Sequence, residues 1–220
     1  MRRPMVDYRG FRLRRINEPQ FSHLKLLLGW VGYFILYFLT ENLIPAERCY
    51  PVHCTLDDVI PFCEYFLIPY VFWYALIVIS LGYFLLYDVE RFRQLQTFII
   101  VTQVVAMACY ILFPTRQDLR PAEFSRENLL TWGTGLLYQL DTNTGVCPSL
   151  HVAYSLGIAS VWCKQKTTSV LWRGFVIFAV VLICLSTMFL KQHSAIDVLA
   201  AIPTALLAEW FVFRRRPKKS

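Results

Sequence analysis

Apolar residues in this chain gather in long runs separated by short polar stretches, and they neither alternate nor mark one helical face. Six runs stand out, approximately Leu24–Ile44, Pro61–Tyr87, Thr97–Phe113, Pro148–Cys163, Trp172–Leu190 and Ile196–Phe213. A helix crosses the hydrocarbon core of a bilayer with about 20 predominantly apolar residues. The pattern therefore predicts an all-α, polytopic membrane bundle of six transmembrane helices. The fourth run, 16 residues long, is the shortest. The first run is of span length and no small-residue cleavage site follows it cleanly, so it reads as a helix that stays in the protein. The stretch from Pro114 to Cys147 is long for a connection, and long connections usually carry function.

Composition agrees. Of 220 residues, 56% are hydrophobic and 17% charged, against about 25% charged in a soluble domain. This excludes a disordered chain and leaves little room for a separate soluble domain. Seven cysteines are too few for a disulfide-dense scaffold. The net charge of +7 sits mainly at the two ends of the chain, beside apolar runs, where it reads as an orientation signal and not as a nucleic-acid surface. Only Arg48, Arg116, Arg120, Arg126 and Lys191 of the 22 Lys and Arg residues fall on one side of the six-span topology. The positive-inside rule then places both termini in the cytoplasm. The chain divides into a basic cytoplasmic tail (1–23), a six-span membrane domain (24–213) and a second basic tail (214–220).

Polar and ionisable groups beside a bilayer are costly, and three clusters of them lie on the expected outer side. In Thr115-Arg116-Gln117-Asp118-Leu119-Arg120-Pro121, two arginines offer planar forks of donors suited to phosphate oxygens. In Cys147-Pro148-Ser149-Leu150-His151, Pro and Ser mark a helix start, whose free N–H groups favour an anion. In Lys191-Gln192-His193-Ser194-Ala195-Ile196-Asp197, His193 and Asp197 stand four apart and share a helical face. A carboxylate on one ring nitrogen fixes the tautomer and leaves the other nitrogen as nucleophile or base. Taken singly, each cluster also fits a solvated loop, a helix cap or a structural pair. His23 and His53 lack such company, and Asp57 and Asp58 read as a solvated loop face. Cys49, His53, Cys54 and Cys63 leave three readings open: a Cys49–Cys54 disulfide, free thiols, or a metal site whose spacing matches no common zinc pattern.

The order of these motifs resembles the type 2 phosphatidic acid phosphatase superfamily, the integral-membrane lipid phosphatases and phosphotransferases related to vanadium haloperoxidases. Its signatures are Lys, six residues, then Arg-Pro; Pro-Ser-Gly-His; and Ser-Arg, five residues, His, three residues, Asp. Here Arg120-Pro121, Pro148-Ser149-Leu150-His151, and Ser186-Thr187 with His193 and Asp197 stand in that order and spacing. Phe113, Leu150 and Thr187 replace the signature Lys, Gly and Arg. The variant motifs look like the inositol-phosphorylceramide-synthase-like branch.

The resemblance implies a metal-independent enzyme without cofactor, acting on a lipid phosphate at the extracytoplasmic face of the membrane. His193, oriented by Asp197, forms a phosphohistidine, and His151 serves as acid and base. Arg120, with Arg116, Lys191 and Ser149, holds the phosphate. Hydrolysis is the first expectation and transfer of a phosphoryl head group to another lipid the alternative. The missing signature cations leave a non-catalytic scaffold or transporter as the reading of another class.

Overall fold

The computed structural model describes residues 4–214, so Arg2, Arg3 and the basic run from Arg215 lie outside the described residues. The described chain is helical almost throughout. Five helical stretches are long and apolar enough to cross a membrane: Ser22–Leu43, Glu64–Tyr87, Val89–Leu112, Val170–Phe189 and Ala195–Arg214. They contain α1 (Leu28–Leu43), α3 (Leu67–Tyr87), α4 (Val89–Leu112), α7 (Val170–Phe189) and α8 (Ala195–Arg214). The expected fourth span is α6 (Leu150–Lys164), which at 15 residues rises only about 22 Å at 1.5 Å per residue.

Its short length has a physical reason. α6 lies in the middle of the bundle against α3, α4, α7 and α8. Val152, Ala153, Tyr154, Ile158 and Val161 are all buried. A helix apolar all round is a core helix, and one sheathed by other helices has no lipid thickness to match. Gly157 is what lets α4 come so close: a Cβ at this position would meet the Phe98 ring at 2.4 Å.

Local chemistry sets the helix boundaries. Asp88 caps α4, accepting from the Arg91 N–H at 3.1 Å and from Gln165 Nε2. α4 therefore starts eight residues before the expected Thr97 and carries Glu90, Arg91 and Arg93 beyond its apolar part. Ser169 caps α7 through the Trp172 N–H. The 114–147 stretch contains α5 (Leu129–Leu140), an amphipathic helix started by a capping box between Asn128 and Thr131. The other outer connection holds α2 (Thr55–Val59). A two-residue parallel pairing, β1 (Tyr50–Pro51) with β2 (Thr115–Arg116), ties the two connections together.

Successive long helices run in alternating directions. The start of α4 meets the start of α1, where Gln96 donates to the Leu26 carbonyl, and packs near the end of α8, where Phe98 meets Ala205 and Ala208. α2, α5, β1, β2 and the starts of α6 and α8 gather at the other end. There the Ser149 N–H donates to the Asp197 carbonyl at 3.1 Å, which joins the N-termini of two parallel helices.

Gly157→Ala should destabilise the bundle by about 1–3 kcal/mol, the range for overpacking a filled core. Thermal unfolding in detergent measures it. The double change with Phe98→Leu should cost less than the two single changes together, because the clash is shared.

Candidate active site

The turn between α7 and α8 is the key local structure. The Gln192 N–H donates to the Thr187 carbonyl at 2.9 Å, and the Lys191 N–H to that of Met188 at 3.0 Å. This pair of bonds is the Schellman arrangement that closes a helix. Lys191 takes the left-handed position, with φ of 53°, where glycine is usual. Its ammonium group anchors that conformation by donating to the carbonyls of Asp57 (2.7 Å) and Ile60. Four residues after Lys191 α8 begins, at Ala195: Ser194 Oγ accepts from the Ile196 N–H, and Asp197 Oδ2 from the Ser194 N–H at 2.9 Å. The fixed spacing of Thr187, His193 and Asp197 is therefore the length of one helix closure followed by one helix start.

His193 Nδ1 lies 3.3 Å from Asp197 Oδ2. A carboxylate only accepts, so the proton sits on Nδ1 and the lone pair on Nε2. Asp197 is fully buried and its Oδ1 has no hydrogen-bond partner among the described residues. His151, in the first turn of α6, has its ring centroid 5.9 Å from that of His193. It rests on the rings of Trp73 (4.1 Å) and Tyr70 (4.5 Å), with the edge of Tyr74 beyond. Both histidines line a cavity of about 880 Å³. Its walls are Trp30, Tyr33 and Tyr37 of α1, the facing residues of α3, and Leu136 and Leu140 of α5. This is an apolar chamber with polar groups at one end, the usual make-up of a small-molecule site.

The cations are distributed differently from the expectation. Arg120 reaches the site: its guanidinium stacks on the Tyr138 ring at 4.6 Å, donates to the carbonyls of Tyr138, Asp141 and Thr142, and donates to Gln192 Oε1 at 2.5 Å. Burial lowers its pKa from the ordinary guanidinium value, with Asp141 opposing the shift. Arg116 instead pairs with Asp118 at 3.1 Å and donates to the Ala46 carbonyl, holding the two outer connections together. Lys191 is occupied by the carbonyls named above. Ser149 is buried and serves as the cap of α6, its Oγ accepting from the Val152 N–H. Neither these three nor Arg120 lines the cavity; Arg120 touches its wall from behind, through Gln192 and the carbonyls of Asp141 and Thr142. A cationic side chain at the membrane rim finds carbonyls as readily as it finds ligand, and sequence alone does not show which.

Several residues were not singled out by the sequence reading. Tyr70, Trp73 and Tyr74 occupy positions i, i+3 and i+4 of α3, a spacing that already puts them on one face. Asp57, expected on a solvated face, is 3% exposed. It accepts from Ser194 Oγ (2.6 Å), the Ala195 N–H (2.8 Å) and the Cys54 N–H (2.9 Å), and so clamps the start of α8. Its neighbour Asp58 is solvated as expected and pairs with His53. Cys49, Cys54 and Cys63 are free thiols. Burial, then Asp197, pushes the Cys147 thiol up to about 12, so this cysteine beside the histidines is no nucleophile at neutral pH. No family model, no curated protein and no solved structure matches the chain.

Burial alone would raise the Asp57 carboxyl, but its hydrogen bonds outweigh burial and hold it below the ordinary value. A depressed carboxylate stabilises the folded state above its unfolded pKa of about 3.9, and that contribution disappears as pH falls through the folded value. Asp57→Asn should therefore cost about 1–3 kcal/mol at pH 7. Melting curves in detergent should show the gap from the unchanged protein closing at pH values below about 3.9.

Proposed function

We propose that this chain is an integral-membrane lipid phosphatase, with His193 as nucleophile and His151 as general acid and base. One observation carries the reading: two histidine rings 5.9 Å apart, one backed by a buried Asp, line the same apolar chamber. An imidazole pair at this separation flanks a single phosphorus centre. The aromatic walls suit the hydrocarbon part of a lipid, and the polar end suits its phosphate. The six-span topology of the sequence reading, with α6 as the short inner span, puts the site at the extracytoplasmic rim and both termini in the cytoplasm. Membrane lipid is the surrounding medium, and no nucleic-acid partner is part of this reading.

The chemistry follows from the geometry. Nε2 of His193 attacks phosphorus, and the bond from phosphorus to the lipid alcohol breaks. His151, protonated, gives its proton to the departing oxygen. It then takes a proton from water as the water oxygen attacks the phosphohistidine and the P–N bond breaks. Asp197 stabilises the positive charge that develops on the His193 ring. Arg120, one contact behind the cavity wall through Gln192, supplies positive charge that the low dielectric strengthens. The same covalent intermediate passes its phosphoryl group to a lipid alcohol if that acceptor outcompetes water, which is the transferase alternative suggested by the motif variants.

Phosphate release from phosphatidic acid or an isoprenyl phosphate should proceed with purified protein in EDTA. His193→Ala should lower it by about three orders of magnitude or more, with the melting temperature retained. Turnover that requires an added lipid acceptor would identify the transferase. Full phosphate release by His193→Ala would overturn His193 as nucleophile, whereas no turnover by the unchanged protein, with biological activity intact in His193→Ala, would leave the scaffold or transporter.

A further inference from the structure

Gln192 lies between the anchored Lys191 and the nucleophile, and its side chain is 3% exposed. Its orientation is dictated by chemistry. The guanidinium of Arg120 carries donors only, so the amide atom 2.5 Å from Arg120 Nη2 must be the oxygen Oε1. The NH2 group then points elsewhere, and Nε2 is buried with no hydrogen-bond partner among the described residues. Gln192 lines the cavity together with His193. An unmade hydrogen bond at a buried donor costs about 1–3 kcal/mol, and the backbone cannot turn to relieve it because the Gln192 N–H is bonded to Thr187. Three further cavity residues hold buried polar atoms without a partner among the described residues: Trp73 at Nε1, a donor, His151 at Nε2 and Tyr154 at its hydroxyl.

We propose that Gln192 is a direct phosphate-binding residue whose Nε2 donates to a non-bridging phosphoryl oxygen, and that Arg120 acts on the phosphate partly by fixing this amide. The inference rests on the reading of the site as a phosphoryl-transfer centre. It accounts for the absence of the signature cations at Phe113 and Thr187. The positions that would compensate by charge, Arg116 and Lys191, are bonded elsewhere, whereas the NH2 group of the neutral Gln192 amide, next to His193, has no partner among the described residues. The ligand chemistry is that of a tetrahedral oxyanion, whether it belongs to a lipid head group or to free phosphate.

Gln192→Glu separates this role from a structural one. A glutamate still accepts from Arg120, so the fold and the Arg120 contact persist, but it has no donor and adds a repelling charge. Three measurements on the full chain in detergent decide the matter: melting temperature, phosphate release from a lipid phosphate, and inhibition by orthovanadate as a phosphate mimic. With the melting temperature unchanged, kcat/KM should fall about 100-fold or more and vanadate inhibition should weaken in parallel. Gln192→Met, which keeps the length but neither polar atom, should lose activity to a similar degree. Unaltered vanadate inhibition and kcat/KM in Gln192→Glu, with the unchanged protein active, would overturn the assignment of Gln192 alone. An unchanged protein that neither releases phosphate nor responds to vanadate would overturn the phosphoryl-transfer reading, and this inference with it. Orthovanadate against free phosphate as competitors, each with and without lipid substrate, distinguishes a head-group site from a site for inorganic phosphate.

Discussion

The candidate site depends on one backbone contact, the hydrogen bond from the Ser149 N–H to the Asp197 carbonyl. It joins the first turns of two parallel helices, so that side chains two residues after Ser149 and four residues before Asp197 come to the same depth. Helix packing alone leaves the axial register of two neighbours free to slide by a turn, about 5.4 Å. A slide of that size is nearly as large as the 5.9 Å separation of the two imidazoles. The contact is protected from both sides. Gly157 lets α4 press against α6, and Asp57 clamps the Ser194–Ala195 corner of α8.

The outer connections act as a truss for this contact. Lys191 ties the closing turn of α7 to α2, Arg116 ties β2 to the Ala46 carbonyl, and Cys63 N–H bonds the Phe189 carbonyl at the end of α7. Each is a polar link at the bundle end, where buried backbone groups must find partners. The left-handed Lys191 belongs to the same set. A non-glycine residue in this region costs about 1–3 kcal/mol, offset here by two carbonyl contacts to its ammonium group and by the helix-closing bonds. Lys191 and Arg116 at the bundle end therefore serve rigidity.

The helical runs were legible in the sequence because oil-soluble segments leave a dense signal that needs no alignment. The motifs were legible too, since the Thr187, His193 and Asp197 spacing encodes a helix end followed by a helix start. α5 was not, because Leu129–Leu140 interleaves two glycines and two threonines with its leucines and lacks a continuous apolar run. The early start of α4 was hidden because charged residues precede its apolar stretch, and only the Asp88 cap shows that they are helical. Asp57 was misread as solvated because a sequence position in a polar loop carries no sign of the Ser194 and Ala195 groups that bury it. The fates of Arg116 and Lys191 were illegible for the same reason: long cationic side chains have several rotamers, and the partner is a property of the fold.

These fates bear on how an oxyanion would be held in a chamber with aromatic walls, as the proposed function requires. Bringing several cations into such a space is expensive, because desolvation can exceed the Coulombic gain. The arrangement here keeps one guanidinium behind the wall, embedded in carbonyls and against Tyr138, with the neutral Gln192 amide between it and the chamber. The cation polarises and orients the amide, and the amide presents a donor whose position is already fixed before substrate arrives. Preorganised dipoles cost no reorganisation at the moment of reaction. The carbonyl of Thr187 accepts the N–H bonds of Gln192 and His193, so a single residue at the end of α7 sets the Gln192 amide and the His193 ring side by side.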